Sequence, residues 1–201
     1  MCNHYRNDPE AMKHLPTWRE YIAWDLPRRP DALEPKADVW PKYPAMIVRD
    51  EAGSRIADVM SWGVPTTIPG KRPGTSVQRR VTNVRNLASP FWRSMLARPM
   101  QRCLVPFSTF AEPVIGGGRS EHWFSVPSEP VAAFAGIWRP STEGDVFAFL
   151  TCEPNPLVAP LHPKAMPVVL HPSDYDRWLD AEWDDACALV TPFPSQLMAV
   201  A

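Results

Sequence analysis

Apolar positions along this chain fall in short runs cut by proline and glycine, with no long helical stripe. Residues 55–64 alternate apolar and polar side chains like a strand with one face buried, ending at Trp62-Gly63-Val64-Pro65. Two denser runs, 131–137 and 146–152, read as buried strands joined through Ser141-Thr142-Glu143-Gly144. Residues 101–105, 122–126 and 166–170 predict further strands, with Glu112-Pro113 lying just beyond the first. Asp8-Pro9-Glu10 is a helix start: an N-cap, a proline in the first turn, then an acid at the positive end of the dipole. Ser89-Pro90 opens a short helix that Pro99 stops, residues 155–161 read as another, and Ser173-Asp174-Tyr175-Asp176 resembles a capping box before a last one. Residues 24–44 and 66–74 read as loops, and Gly116-Gly117-Gly118 as a hairpin turn. No repeat and no linker divides the chain, so a single domain over residues 2–201 is expected.

Composition sharpens this picture. The chain has 25 prolines in 201 residues, about one in eight, where about one in twenty is usual. Proline breaks helix interiors and central strands, so long helices and coiled coils are excluded. Hydrophobic residues make up 45%, nine of them Trp, and the net charge is −1, which excludes a disordered chain. The longest apolar run is 131–138, far short of the roughly 20 residues that span a bilayer. The N-terminus carries no secretory core, so a cytoplasmic protein is expected. Cys2, Cys103, Cys152 and Cys187 are too far apart for a zinc ribbon or a Cys-x-x-Cys pair and read as free thiols.

The balanced charge hides an asymmetry. Between Lys71 and Ala111 stand Lys71, Arg72, Arg79, Arg80, Arg85, Arg93, Arg98 and Arg102, with no Asp or Glu. Such a stretch is the local signature of a polyanion partner, and nucleic acid is the commonest. The plainer reading is that folding brings acids to these arginines. There is no Gly-x-Gly-x-x-Gly fingerprint, and the triple glycine lacks the Gly-Lys-Ser/Thr of a phosphate loop, so no nucleotide cofactor is expected.

Cys2 is the most informative residue. Loss of Met1, common before a small second residue, leaves an α-amine two carbons from a thiol. That amine has a pKa of about 7.7–8.0. Its neutral fraction attacks an aldehyde to give an imine, and the thiol can close on the imine carbon as a five-membered thiazolidine. Cys2 alone favours the plainer reading, the second residue of a loose chain end. A free amine with His4 in third place also suits square-planar Cu(II) or Ni(II), but such termini arise by chance and no metal is expected. Glu112, after an apolar strand, would have its pKa raised if desolvated and so suit proton transfer. The alternative is an ordinary strand-end acid. His162, between prolines, could move protons near pH 7 or be a satisfied core histidine. Asn83 and Arg85 occupy alternate positions, hence one side of an extended segment, where an amide and a guanidinium could grip a sugar–phosphate or simply face solvent.

Taken in order, Met1-Cys2, Trp62-Gly63-Val64-Pro65, Thr82-Asn83-Val84-Arg85, Arg102-Cys103-Leu104-Val105-Pro106 leading to Phe110-Ala111-Glu112, Phe134-Ala135-Gly136-Ile137-Trp138, and His162-Pro163-Lys164-Ala165-Met166-Pro167-Val168-Val169-Leu170 resemble the SRAP family, the SOS-response-associated peptidases that shield abasic sites in single-stranded DNA. The resemblance implies an α+β fold, mostly β, with a curved or barrel-like mixed sheet and short peripheral helices. It implies a covalent thiazolidine between Cys2 and the ring-opened sugar of an abasic site, with no cofactor. In that scheme Asn83 orients the amine and the sugar, Glu112 is the acid/base, and His162 assists sugar opening. Arg85 and Lys164 hold phosphates, with His4, Arg79 and Arg80 as further DNA contacts. Trp62 stacks on or wedges against a flanking base. The resemblance also implies Cys-dependent release of the leading residue, and a β-elimination (lyase) side reaction that ring closure suppresses. A monomer that joins the nucleoid on damage is expected.

The sequence departs from the family pattern in three places. Asn3-His4 stand where Gly-Arg is common, so one phosphate-binding guanidinium is lost and His4 replaces it only in part. Phe110-Ala111-Glu112-Pro113 stands for Phe-Tyr-Glu-Trp, removing an aromatic flank beside the lesion. The His162–Pro167 segment has one residue more than His-x-Arg-Met-Pro, with Lys for Arg. The rival functions are an N-terminal-nucleophile peptidase or amidohydrolase, a non-catalytic single-strand binder, and a small-molecule enzyme with no DNA role.

Overall fold

The computed structural model describes residues 2–20 and 37–201. The chain runs β1 (His4–Arg6), α1 (Pro9–Met12), β2 (Asp38–Val39), β3 (Pro44–Glu51), β4 (Ser54–Trp62), β5 (Val64–Pro69), β6 (Ser76–Val81) and β7 (Asn83–Val84). It continues through α2 (Pro90–Leu96), β8 (Arg102–Phe107), β9 (Thr109–Pro113), β10 (Glu121–Ser125), β11 (Ala132–Arg139), β12 (Val146–Cys152), β13 (Met166–Pro167) and β14 (Val169–Leu170). The last elements are α3 (Tyr175–Asp180), α4 (Trp183–Cys187) and β15 (Ala199–Val200). The fold is α+β and mostly β, with short helices: α2, at seven residues, is the longest α-helix among the described residues.

Strands β12, β4, β3, β8 and β11 pair in that order, and β11 pairs back to β12, so this mixed sheet closes on itself. Only β12–β4 in the ring is parallel; β3–β4, β3–β8 and β8–β11 are antiparallel. β8 and β12 are buried along their whole length. Covered on both faces, they read in sequence as continuous apolar runs rather than alternating ones. A second sheet, ordered β15-β10-β9-β1-β2, packs on this barrel. Tyr5 of β1 joins the two, its ring edge-on to Trp62, Phe134 and Phe149. Phe107 stacks on Phe134 with centroids 3.9 Å apart inside the same core.

Gly63 separates β4 from β5 with φ +112, a conformation that strains other residues. There the chain leaves the barrel for a two-stranded ribbon, β5–β6, whose second strand is largely exposed.

Several expectations are met. Asp8 caps α1 by accepting from the backbone N–H of Glu10 and Ala11, and the triple glycine is the turn between β9 and β10, with Gly116 and Gly118 at positive φ. Others need correction. Glu112 does lie beyond β8, but inside a further strand, β9, that the pattern does not show. Of residues 66–74, 66–69 belong to β5, and only 70–74 form the loop between the arms of the ribbon. Residues 155–161 form turns held by the Asn155 side chain, which accepts from the N–H of Leu157 and Val158, not a helix. α3 has no side-chain cap. In the loop expected over 24–44, residues 24–36 lie outside the described residues, and the rest contributes β2 and enters β3. No helix among the described residues is long and apolar enough to cross a membrane.

Candidate active site

Cys2 lies two residues before β1 and is fully buried. Its Sγ donates to the carbonyl of His4 at 3.4 Å. Burial pushes the thiol pKa well up, and the neighbouring Glu112 carboxyl adds to the rise. The register of β1 against β9, His4 opposite Ala111, sets Glu112 beside this terminus. Glu112 is fully buried, and desolvation raises its carboxyl from 4.5 to about 7.

Two other segments complete the group. The parallel pairing of β7 with β12, Asn83 opposite Phe149, holds Asn83 against the N-terminus. Its Nδ2 donates to the carbonyl of Cys2 at 3.0 Å and to Oγ1 of Thr82 at 2.8 Å. Its Oδ1 is buried and makes no hydrogen bond to the described residues. His162 follows the 155–161 turns, with Nε2 3.5 Å from Oε2 of Glu112. Its Nδ1 lies 2.8 Å from the carbonyl of Ala165. A carbonyl only accepts, so Nδ1 carries the hydrogen and Nε2 is the acceptor in the neutral ring. Burial lowers the His162 pKa, which favours that neutral form. Cys2, Asn83, Glu112 and His162, spread over 160 residues of sequence, are thus brought together.

The peripheral candidates divide. Lys164 is exposed next to His162. Arg85 is partly exposed, donating to the carbonyl of Cys152 and paired with Glu153. Arg79 is exposed on the ribbon, whereas Arg80 pairs with Glu143 and donates to the carbonyl of Gly63. Of the wider basic stretch, Arg102 is fully buried and serves the fold, donating to the carbonyls of Trp178 and Ala181.

Trp62 and His4 depart from expectation. Trp62 is fully buried, with Nε1 donating to the carbonyl of Thr82 and its ring stacked 5.1 Å from Phe149. It offers no face to a base and acts as a core side chain behind the site. His4 is also buried, its Nδ1 2.8 Å from Glu121 and its Nε2 2.8 Å from Asp38. With both nitrogens against carboxylates, it neither replaces a phosphate-binding arginine nor presents Nδ1 to a metal. Among the described residues, no group of three or more His, Cys, Asp or Glu is placed to hold a metal ion.

Sequence reasoning passed over three participants. Thr82, inside a motif already singled out, accepts from Asn83 and donates to Oδ1 of Asn3 at 3.3 Å. Asp38 and Glu121 carry no local signal, because only the sheet brings them to His4.

A family model described as SOS response associated peptidase (SRAP) matches residues 1–201. The chain belongs to the SRAP family. Among solved structures, a protein from Bordetella bronchiseptica is 25% identical, with TM-score 0.72, the match covering 100% of this chain and 98% of that one. A protein from Bacteroides thetaiotaomicron is 19% identical at TM-score 0.72, covering 99% and 90%. A phage-related protein from Bordetella bronchiseptica is 18% identical at TM-score 0.66, covering 100% and 92%. The last two likenesses concern the fold alone. A search of curated proteins gave no match.

Proposed function

We propose that this SRAP protein captures abasic sites in single-stranded DNA as a thiazolidine on Cys2, once Met1 has been released. The observation that carries the reading is the convergence on Cys2 of a carboxyl with a pKa near 7 and a side-chain amide. The neutral α-amine adds to C1′ of the ring-opened deoxyribose, and the carbinolamine loses water to give an imine. The thiol sulfur then bonds to the imine carbon while its proton ends on the nitrogen. Water is the only product released, and no redox partner is needed.

Glu112 protonates the departing hydroxyl, and as a carboxylate it then takes the thiol proton. Asn83 holds the Cys2 carbonyl and turns Oδ1 toward the amine. His162, accepting at Nε2, removes the proton of the anomeric hydroxyl as the sugar opens. Arg85, Lys164 and Arg79 meet phosphates, with Arg85 exchanging Glu153 for one. The same centre performs the peptidase step, release of Met1. β-Elimination of the imine is the competing lyase path, which ring closure cuts off.

Single-stranded DNA with one abasic site, incubated with the protein and run on a denaturing gel, tests the reading. A heat-stable shifted band is expected, absent for Cys2→Ala and for DNA with all bases intact. A band that survives Cys2→Ala assigns the capture to a lysine imine and refutes the proposal. Binding without a covalent band leaves a single-strand binder; repeated turnover of peptides points to a hydrolase. An intact mass that retains Met1 also refutes it.

A further inference from the structure

We propose that Trp40 is the stacking platform for the unpaired base next to the captured sugar. This rests on the single-strand reading above and adds the residue that orders the neighbouring nucleotide.

Trp40 follows β2 and is one of the few large apolar side chains left open, at 40% exposure. Its ring lies on the imidazole of His4 with centroids 3.7 Å apart and planes 19° from parallel. His4 cannot turn aside, because Asp38 and Glu121 hold its two nitrogens and Trp123 meets it edge-on. The indole is thereby fixed from behind by a buried ring. The rigidity matters, since an aromatic already ordered loses little entropy when a base stacks on it.

The position suits the reaction. Strand pairing sets Val39 opposite Tyr5, which brings Trp40 level with His4. Cys2 is two residues further along the same strand direction, about 7 Å, comparable to one nucleotide of extended DNA. Trp40 also lines an open hollow of about 570 Å³ with Pro113, the neighbour of Glu112, and Arg119. Arg119 is exposed and makes no ion pair among the described residues. Lys42, in the turn that the Tyr43 N–H closes on the Trp40 carbonyl, lines a second hollow of about 220 Å³ with Arg79. An exposed aromatic with cations along the same surface is how proteins track single strands, with bases on rings and phosphates on cations. The nearby acids have partners of their own: Asp38 pairs with Arg6, Glu143 pairs with Arg80, and Glu121 and Asp38 each hold a nitrogen of His4. Trp40 thus supplies an aromatic flank that Ala111 and Pro113 do not.

The experiment is a cycle between protein and DNA. Wild type, Trp40→Ala and Trp40→Phe are titrated by anisotropy against two oligonucleotides carrying a stable tetrahydrofuran abasic analogue. In one, both bases flanking the analogue are present; in the other they are also removed. Trp40→Ala should weaken binding about tenfold on the first DNA and less than twofold on the second. Trp40→Phe should stay within about threefold of wild type on both, and melting curves should be alike. Equal losses on the two DNAs, or no loss, overturn the platform. If wild type binds but never cross-links a true abasic site, the capture reading fails and the platform stands on its base-dependent loss. If capture proceeds and Trp40→Ala binds like wild type, the platform alone fails. Absence of any single-strand binding removes both.

Discussion

Glu112 should cost the protein stability as pH rises, and Glu112→Gln should recover it. The carboxyl is fully buried, with its pKa raised from 4.5 to about 7. A group that binds its proton more tightly in the folded state stabilises the fold while protonated in both states. That advantage is lost once the unfolded chain ionises. Below about pH 4.5 both states hold the proton and the two proteins differ little. Between 4.5 and about 7 the unfolded state sheds it first, so wild type weakens steadily; above 7 both are ionised and the loss is complete. At about 1.4 kcal/mol per pH unit, the full loss is about 3 kcal/mol, a large share of a marginal fold. Gln has the same shape and no charge, so it escapes the loss. Urea unfolding at pH 4.5, 6 and 8 should show a wild-type deficit against Glu112→Gln that grows from near zero to about 3 kcal/mol. The cross-linking assay should show Glu112→Gln impaired at every pH, a stability gain bought with function. A deficit independent of pH, or wild type the more stable protein at pH 8, would refute the buried-acid argument.

Three further outcomes follow from the geometry. Trp62→Ala should destabilise the fold by about 3–5 kcal/mol, and its remaining folded fraction should bind single strands as well as wild type does, read by denaturant titration and anisotropy. Asn83→Ala removes the donor to the Cys2 carbonyl. It should cost about 1–3 kcal/mol in stability and slow capture more than tenfold at saturating DNA, while Kd for the tetrahydrofuran analogue stays within threefold. Glu153→Gln frees the guanidinium of Arg85; it should tighten single-strand binding a few-fold at low salt and steepen the salt dependence, because one more cation meets phosphate.

The four residues that converge and the strands with clear patterns are legible in the sequence, and what is not legible shares a cause. β12, an unbroken apolar run between turns, was legible because a fully buried strand needs no partner to be recognised. β7, two residues long, exists only because β12 lies beside it, and β1 only because β9 does. Such elements have no periodicity to read. β3 is not legible although Ala45-Met46-Ile47-Val48 is buried throughout, since four apolar residues after a proline-rich stretch do not separate strand from loop. The burial of Trp62 is hidden for a similar reason. A tryptophan beside glycine and proline looks exposed along the chain, whereas the barrel closes Phe149 and Tyr5 around it. His4 could not have been placed from local sequence, its partners lying 34 and 117 residues away.

The environment of Cys2 also bears on which of its two nucleophiles acts first in the proposed reaction. The thiol pKa is raised well above 9.0, so at pH 7 less than about 1% is thiolate. An α-amine with a pKa of about 7.7–8.0 is neutral to roughly a tenth or more at the same pH. The amine therefore leads by at least an order of magnitude in reactive population, and the imine precedes the sulfur bond. That order suits a single carboxyl with a pKa near 7. Glu112 starts protonated often enough to expel water from the carbinolamine, and the proton it gives up leaves it as the base the thiol then needs. An ordinary glutamate, ionised at pH 7, would serve the second step and fail the first. The same desolvation that destabilises the fold lets one side chain perform both, and a thiol kept neutral until the imine forms is protected from oxidation in the interval.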